Sequence, residues 1–240
     1  MDFLYWKNHF HINQLHFDDI DWTMPDTLTE KEKQLIYTSL QQFQRGENSE
    51  GKHLYSFAKK YGDATYIDCI RLFIKEEQKH ALVLGRYLDI YHIPRIKNHW
   101  VDAVFRRLRK LSGLENTITV LLTAEIISKV YYKGLKNATG SALLARICDQ
   151  VLTDEDQHIA FQCDTLKKLC GRRGKVSRFF NDSWHLLLML GTIVVVWWHH
   201  KRVLKAGGYS FFNFWLEALL VFVEAGKRIR PKECLQYSIS

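Results

Sequence analysis

The sequence predicts an all-α fold: a four-helix bundle made of two antiparallel hairpins joined by a longer crossover, with additional C-terminal helices. Three observations predict it. Prolines occur only at Pro25, Pro94 and Pro231, and proline is the residue that interrupts helices, by removing a donor and clashing with the preceding turn. Apolar residues recur at helical spacing from residue 27 to residue 170. The chain also repeats its own helix signals, a glycine stop followed by a capping residue, at Gly62-Asp63 and again at Gly140-Ser141.

Taken in order, residues 1–26 read as an irregular aromatic strap packed on the body, with Phe3, Tyr5, Trp6, Phe10, Phe17 and Trp22. Thr27 and Glu30 form a T-x-x-E pattern that marks a helix start. The first helix continues through Ile36, Leu40, Phe43, Gly51, Leu54 and Ala58 to Tyr61, and Gly62 ends it. Asp63 is a good N-cap for the second helix, whose apolar face runs Tyr66, Ile70, Phe73 and Leu84 and which ends before His92-Ile93-Pro94. A short basic helix near Asp102–Leu111 lies in the crossover. The third helix runs from about Leu114 to Asn137, with Ile118, Leu121, Leu122 and Tyr132 on one face. Ser141 caps the fourth, which continues to about Cys170 with Leu144, Cys148 and Val151 facing inward. The connection between the second and third helices is the longest, which makes the flanking pairs the hairpins.

Residues 171–240 read as an apolar extension. Leu186–Trp198 is a run of 13 residues and Phe211–Val223 is nearly as apolar. A membrane span takes about 20 apolar residues. We expect two helices packed on the bundle, with a membrane-dipping hairpin as the alternative because basic residues lie on both sides. His185, His199 and His200 flank the first run and read as capping or solvated groups.

A chain of 240 residues, 47% apolar, is long enough to bury about 70% of its unfolded surface without disulfide staples. Its five cysteines are odd in number and form no C-x-x-C pair. This argues against a disulfide framework or a cysteine zinc site and for buried thiols in a reducing cytoplasm. The N-terminus shows no signal-peptide pattern. The expected location is cytoplasmic, with peripheral membrane contact through residues 184–223. The net charge is +8, but the basic clusters (106–110, 172–178, 201–205, 227–232) are scattered and surround no nucleic-acid module, so no nucleic-acid partner is expected.

The chemistry sits in an internal repeat. Glu77 maps to Glu155 (155 − 77 = 78), and the same offset carries His80 to His158, Glu47 to Glu125 and Glu76 to Asp154. Each half therefore reads: a helix with a glutamate, a glycine stop, a cap, and a helix with E-x-x-H. Residues at i and i+3 share a helix face. Glu77 and His80 lie on the stripe of Phe73 and Leu84, and Glu155 and His158 lie between Val151 and Phe161. Glu125 lies between Leu122 and Tyr132, and Glu47 between Phe43 and Leu54. Four glutamates on core-facing stripes cannot stay ionised and unpaired, since each costs several kcal/mol. Two divalent cations would neutralise them, and a carboxylate–imidazole set suits iron or manganese. Glu50, one turn from Glu47, is an alternative ligand that the repeat maps to Ser128. Asp154 and Glu76 read as groups that orient the histidines or face solvent. Tyr66 and Tyr132 lie on the ligand stripes and read first as core packing.

Glu47, Glu77-Gln78-Lys79-His80, Glu125 and Glu155-Asp156-Gln157-His158 resemble the ferritin-like di-iron carboxylate superfamily, which includes rubrerythrins, bacterioferritins and the ribonucleotide reductase small subunit. The resemblance covers residues 27–170. It implies that Glu47 with His80 serves one metal and Glu125 with His158 the other, and that Glu77 and Glu155, the catalytic pair, bridge or bind terminally. The cysteines of a rubrerythrin iron module are missing. The second histidine, His158, favours a redox-active centre over a storage site. The expectation is an oxidoreductase holding two iron ions (manganese being the other choice) and activating O2 or peroxide on an unspecified small-molecule substrate, possible as a homodimer. The rival readings are a ferroxidase or iron-handling protein without organic substrate, and a non-catalytic, membrane-associated helical module.

Overall fold

A computed structural model describes residues 2–23, 27–48, 51–110, 113–170 and 174–230, and these are helical, with no strand among them. The elements are α1 (Phe3–Asn13), α2 (Glu30–Glu47), α3 (Lys52–Tyr61), α4 (Ala64–Ile90), α5 (Trp100–Lys110), α6 (Gly113–Asn137), α7 (Ala142–Cys170), α8 (Lys175–Ala206) and α9 (Phe211–Ile229).

Side-chain contacts give the helix directions. Gln41 donates to the Pro94 carbonyl, Gln44 Nε2 to that of Ala81 at 3.0 Å, and Arg71 Nη2 to Tyr55 Oη at 3.2 Å. Numbers rise along α2 and α3 as they fall along α4, so this pair is antiparallel. Lys129 pairs with Asp156 and Lys136 with Asp149, which makes α6 and α7 antiparallel. Tyr87 O–H donates to Ser141 Oγ at 2.9 Å and His80 meets Asp154, so α4 and α7 are antiparallel too. It follows that α4 and α6 run parallel. Parallel helices need a connection as long as the bundle, and the segment that carries α5 supplies it.

Four expectations are corrected. The capping box is Thr29 with Glu32, not Thr27 with Glu30: the Thr29 N–H donates to Glu32 Oε2 at 2.8 Å and the Glu32 N–H to Thr29 Oγ1 at 3.3 Å. Thr27 instead donates to the Gly140 carbonyl at 2.9 Å. The first helix is broken into α2 and α3. Gly51 takes φ +61°, a left-handed backbone that stops helix propagation, and a Cβ there would lie 2.4 Å from Ile74 Cδ1. The strap is not irregular, because residues 3–13 form a helix that buries Phe3, Trp6 and Phe10, while Phe17 and Ile20 are buried just beyond it. Asp2 caps this helix by accepting from the Leu4 N–H. Finally, His185, His199 and His200 lie inside α8, whose 32 residues extend well past the apolar run at both ends.

The caps at Asp63 and Ser141 are as expected, accepting from the Tyr66 and Leu144 N–H groups. Cys69, Cys148 and Cys163 are buried free thiols. Glu50, Gly171, Arg172 and Cys234 fall outside the described residues.

The C-terminal pair packs on the bundle. The inner face of α8 buries Met189, Ile193, Val196, Val203 and Leu204. Its outer face leaves Phe180, Leu187, Val194 and Trp198 exposed. By length and composition, Phe179–Ala206 is apolar enough to cross a membrane, although 28% of its most apolar window is buried in the fold. At its C-terminal end α8 comes into backbone contact with α6: a Cβ on Gly207 would lie 2.1 Å from the Gly134 carbonyl oxygen. Gly207→Ala therefore has to push α8 off α6, an overpacking change of about 3 kcal/mol. That corresponds to a Tm fall on the order of 10 °C in a thermal melt. Gly191→Ala, on open space in the same helix, is expected to leave Tm unchanged or raise it slightly.

Candidate metal centre

Glu47, Glu77, His80, Glu125, Glu155 and His158 all meet in the middle of the bundle. Glu47 is the last residue of α2, Glu77 and His80 sit in α4, Glu125 in α6, and Glu155 and His158 in α7. Both histidines and Glu155 are fully buried, and Glu77 keeps a 17% exposed side chain. Two sets of ligand atoms each converge within 4.8 Å: Glu47, Glu77 and His80, and Glu77, Glu125 and His158. Glu77 belongs to both. Its Oε1 lies 3.7 Å from His80 Nδ1 and 3.0 Å from His158 Nδ1. Glu155 belongs to neither set, but its Oε2 is 3.9 Å from His158 Nδ1.

Each imidazole is oriented from the opposite hairpin. His80 Nε2, on α4, lies 3.0 Å from Asp154 Oδ2 on α7. His158 Nε2, on α7, lies 3.0 Å from Glu76 Oε1 on α4. A carboxylate accepts only, so both Nε2 atoms carry a proton and both Nδ1 atoms face the cluster, holding a proton there in the metal-free chain and free to give it up to a cation. His80 Nδ1 and both carboxylate oxygens of Glu155 have no hydrogen-bond partner, and Glu77 Oε1 has His158 Nδ1 at ion-pair distance. Buried polar atoms are nearly always satisfied, yet these converge on one centre. Of the two readings for Asp154 and Glu76, the structure bears out the orienting one and not the solvent-facing one: both are buried and hold the histidines.

The metal-free cluster is electrostatically tense. Burial, aided by the charge of Glu77, pushes the Glu47 carboxyl up to about 8. Burial and the neighbouring Glu125 push Glu155 well above the ordinary carboxylate range. Burial alone would lower the two histidines, but the carboxylates around them win. Asp154, Glu77 and Glu47 raise His80 to about 9, and Glu125, Glu76 and Glu77 raise His158 well above its ordinary value. Without a cation, protons do the neutralising.

Sequence reasoning missed several supports. Asn13 Nδ2 and Gln150 Nε2 donate to Asp154 Oδ1 at 2.9 and 3.0 Å. Phe10 packs near the His158 ring and Phe17 edge-on to His80, with centroids at 6.1 and 5.6 Å. The N-terminal segment thus closes one side of the cluster. Tyr132 is more than packing, since its O–H donates to Glu47 Oε1 at 2.7 Å. Gln162 donates to Glu125 Oε1 at 3.3 Å. Gln150 and Gln162 were findable, standing four residues from Asp154 and His158 on the same helical face; nothing local marks Asn13. Tyr66 lies away from the ligands, against Phe3 with ring centroids at 4.7 Å.

On another side the cluster opens into a cavity of about 150 Å³. Glu47, Glu77 and Glu125 form part of its wall, and Phe43, Leu121 and Val196 are among its apolar lining. The chain matches no protein-family model, no curated protein and no solved structure.

Proposed function

We propose that this chain is a ferritin-like di-metal carboxylate protein and an oxidoreductase that uses two iron or manganese ions to activate O2 or peroxide. The crossed histidine–carboxylate pairs carry the reading, because they fix each ring through Nε2 and turn two buried Nδ1 atoms into one group of glutamates. Donor chemistry fits the ions: carboxylate oxygens and imidazoles in two sets that share Glu77. The bundle direction and crossover derived above agree with that architecture.

Residues take distinct tasks. Glu47 and His80 would hold one ion, Glu125 and His158 the other, with Glu77 between them and Glu155 at the edge of the second set. Bound there, the ions supply redox equivalents and Lewis acidity. The chain supplies orientation through Asp154 and Glu76, a proton on Tyr132 Oη beside Glu47, and a water-poor pocket. The cavity against the carboxylates favours an organic substrate over iron handling.

The test is anaerobic reconstitution with Fe(II), iron counting, and exposure to O2 or peroxide. The expected result is about two irons per chain, one for each donor set, and stoichiometric oxidation to Fe(III). No iron above background, or iron inert to both oxidants, overturns the proposal.

A further inference from the structure

The same cavity has a second polar wall. His200 from α8 lines it, as does Thr192. Within a buried chain of groups, Ser39 Oγ lies 2.8 Å from Tyr131 Oη and 2.8 Å from His200 Nδ1. Tyr131 is fully buried, and Ser39 and His200 are nearly so. The proton order follows from satisfying every donor. Among the described residues the Tyr131 O–H has Ser39 Oγ alone to donate to, so the Ser39 O–H donates to His200 Nδ1. The reverse order leaves a buried phenolic proton unspent, at a cost of about 1–3 kcal/mol. His200 therefore keeps its proton on Nε2, and, since the residue lines the cavity, that N–H is the donor it has to offer an occupant. Burial holds the ring far below its ordinary pKa, at about 3, so it is a neutral donor.

We propose that His200 is a recognition group for the substrate and that the substrate class is an uncharged carbonyl compound with a small apolar body. This rests on the cavity being the substrate pocket of the proposed metal centre. The volume sets the size: apolar cavities of about 150 Å³ take a molecule like benzene. Charge sets the class. Three glutamates and, among the described residues, no lysine or arginine share the wall, so no side chain there offers a counter-charge to an anion, while a neutral N–H asks for an acceptor oxygen. Phe43, with its ring centroid 5.0 Å from that of His200, walls in the apolar body.

The experiment is anaerobic calorimetry on the Fe(II)-reconstituted chain with acetophenone and with α-methylstyrene, which has the same shape but no acceptor oxygen. The wild type is expected to bind the ketone about tenfold more tightly, the worth of one such hydrogen bond. His200→Leu should bind both ligands equally, and His200→Gln, which retains an N–H, should keep most of the preference. Iron content should be unchanged in both variants. Equal binding by the wild type, a preference that survives in His200→Leu, or no binding of either ligand overturns the proposal. Iron content is read in the same samples. A ketone preference without iron would sink the metal centre and with it the substrate reading, leaving only a carbonyl-binding pocket, whereas iron without the preference would sink this inference and leave the metal centre standing.

Discussion

Glu77→Ala is expected to lose both ions, whereas Glu47→Ala and Glu125→Ala each keep about one. The asymmetry follows from Glu77 belonging to both donor sets while each of the others belongs to one. Metal binding at such sites is cooperative with the order of the ligands, so removing the shared carboxylate should bring iron per chain near background. The apo fold should survive at lower stability, because Glu77 is not a packing group but is a counter-charge to both imidazoles. Its Tm without metal is expected to fall below that of the apo wild type. Metal analysis beside a thermal melt reads both quantities. Two ions retained in Glu77→Ala would show that another residue, Glu155 foremost, does the sharing.

The metal-free chain should lose stability as pH rises from 7 to 8.5, and the metal-loaded chain should not. In the apo cluster Glu47 titrates at about 8 and His80 at about 9, with Glu155 and His158 raised as well. The unfolded chain gives those protons up near 4.5 and 6.5. Over this window the folded state therefore binds more protons than the unfolded state, and stability falls with pH. Each proton so held is worth about 1.4 kcal/mol per pH unit, a Tm loss on the order of 4 °C per unit for a chain of this size. The histidines with lowered values, His185 at about 4 and His200 at about 3, act with the opposite sign but finish below pH 7. Loading with metal expels the cluster protons and removes the slope. Identical slopes with and without metal would mean that no cation occupies these atoms.

The offset repeat made the cluster legible because ligand positions are tied to helix periodicity: Glu77 with His80 and Glu155 with His158 needed only the i, i+3 rule. The caps at Asp63 and Ser141 were legible for the same local reason. The break between α2 and α3 was not, since Gly51 reads as a small residue on an apolar stripe until its left-handed backbone is seen. Nor was the helical N-terminal segment, whose Asn13 reaches Asp154 across 141 positions. His200 looked like a flanking polar group because its partner, Ser39, lies 161 residues away. Contacts of that range are set by how whole helices dock, and no local pattern encodes docking.

The crossed pairing of His80 with Asp154 and of His158 with Glu76 has a consequence for symmetry. Rotating one hairpin onto the other exchanges the two imidazoles, the two orienting carboxylates and the two lone glutamates. A single hairpin contains a histidine whose orienting carboxylate it lacks in the right place, so alone it cannot set the ring. Two copies of one hairpin, related by a twofold axis passing between the two donor sets, would complete each other. The covalent chain behaves as that dimer with its subunits tethered. The tether is also what allows Tyr132 on one side and Gln162 on the other to make the two halves chemically unequal.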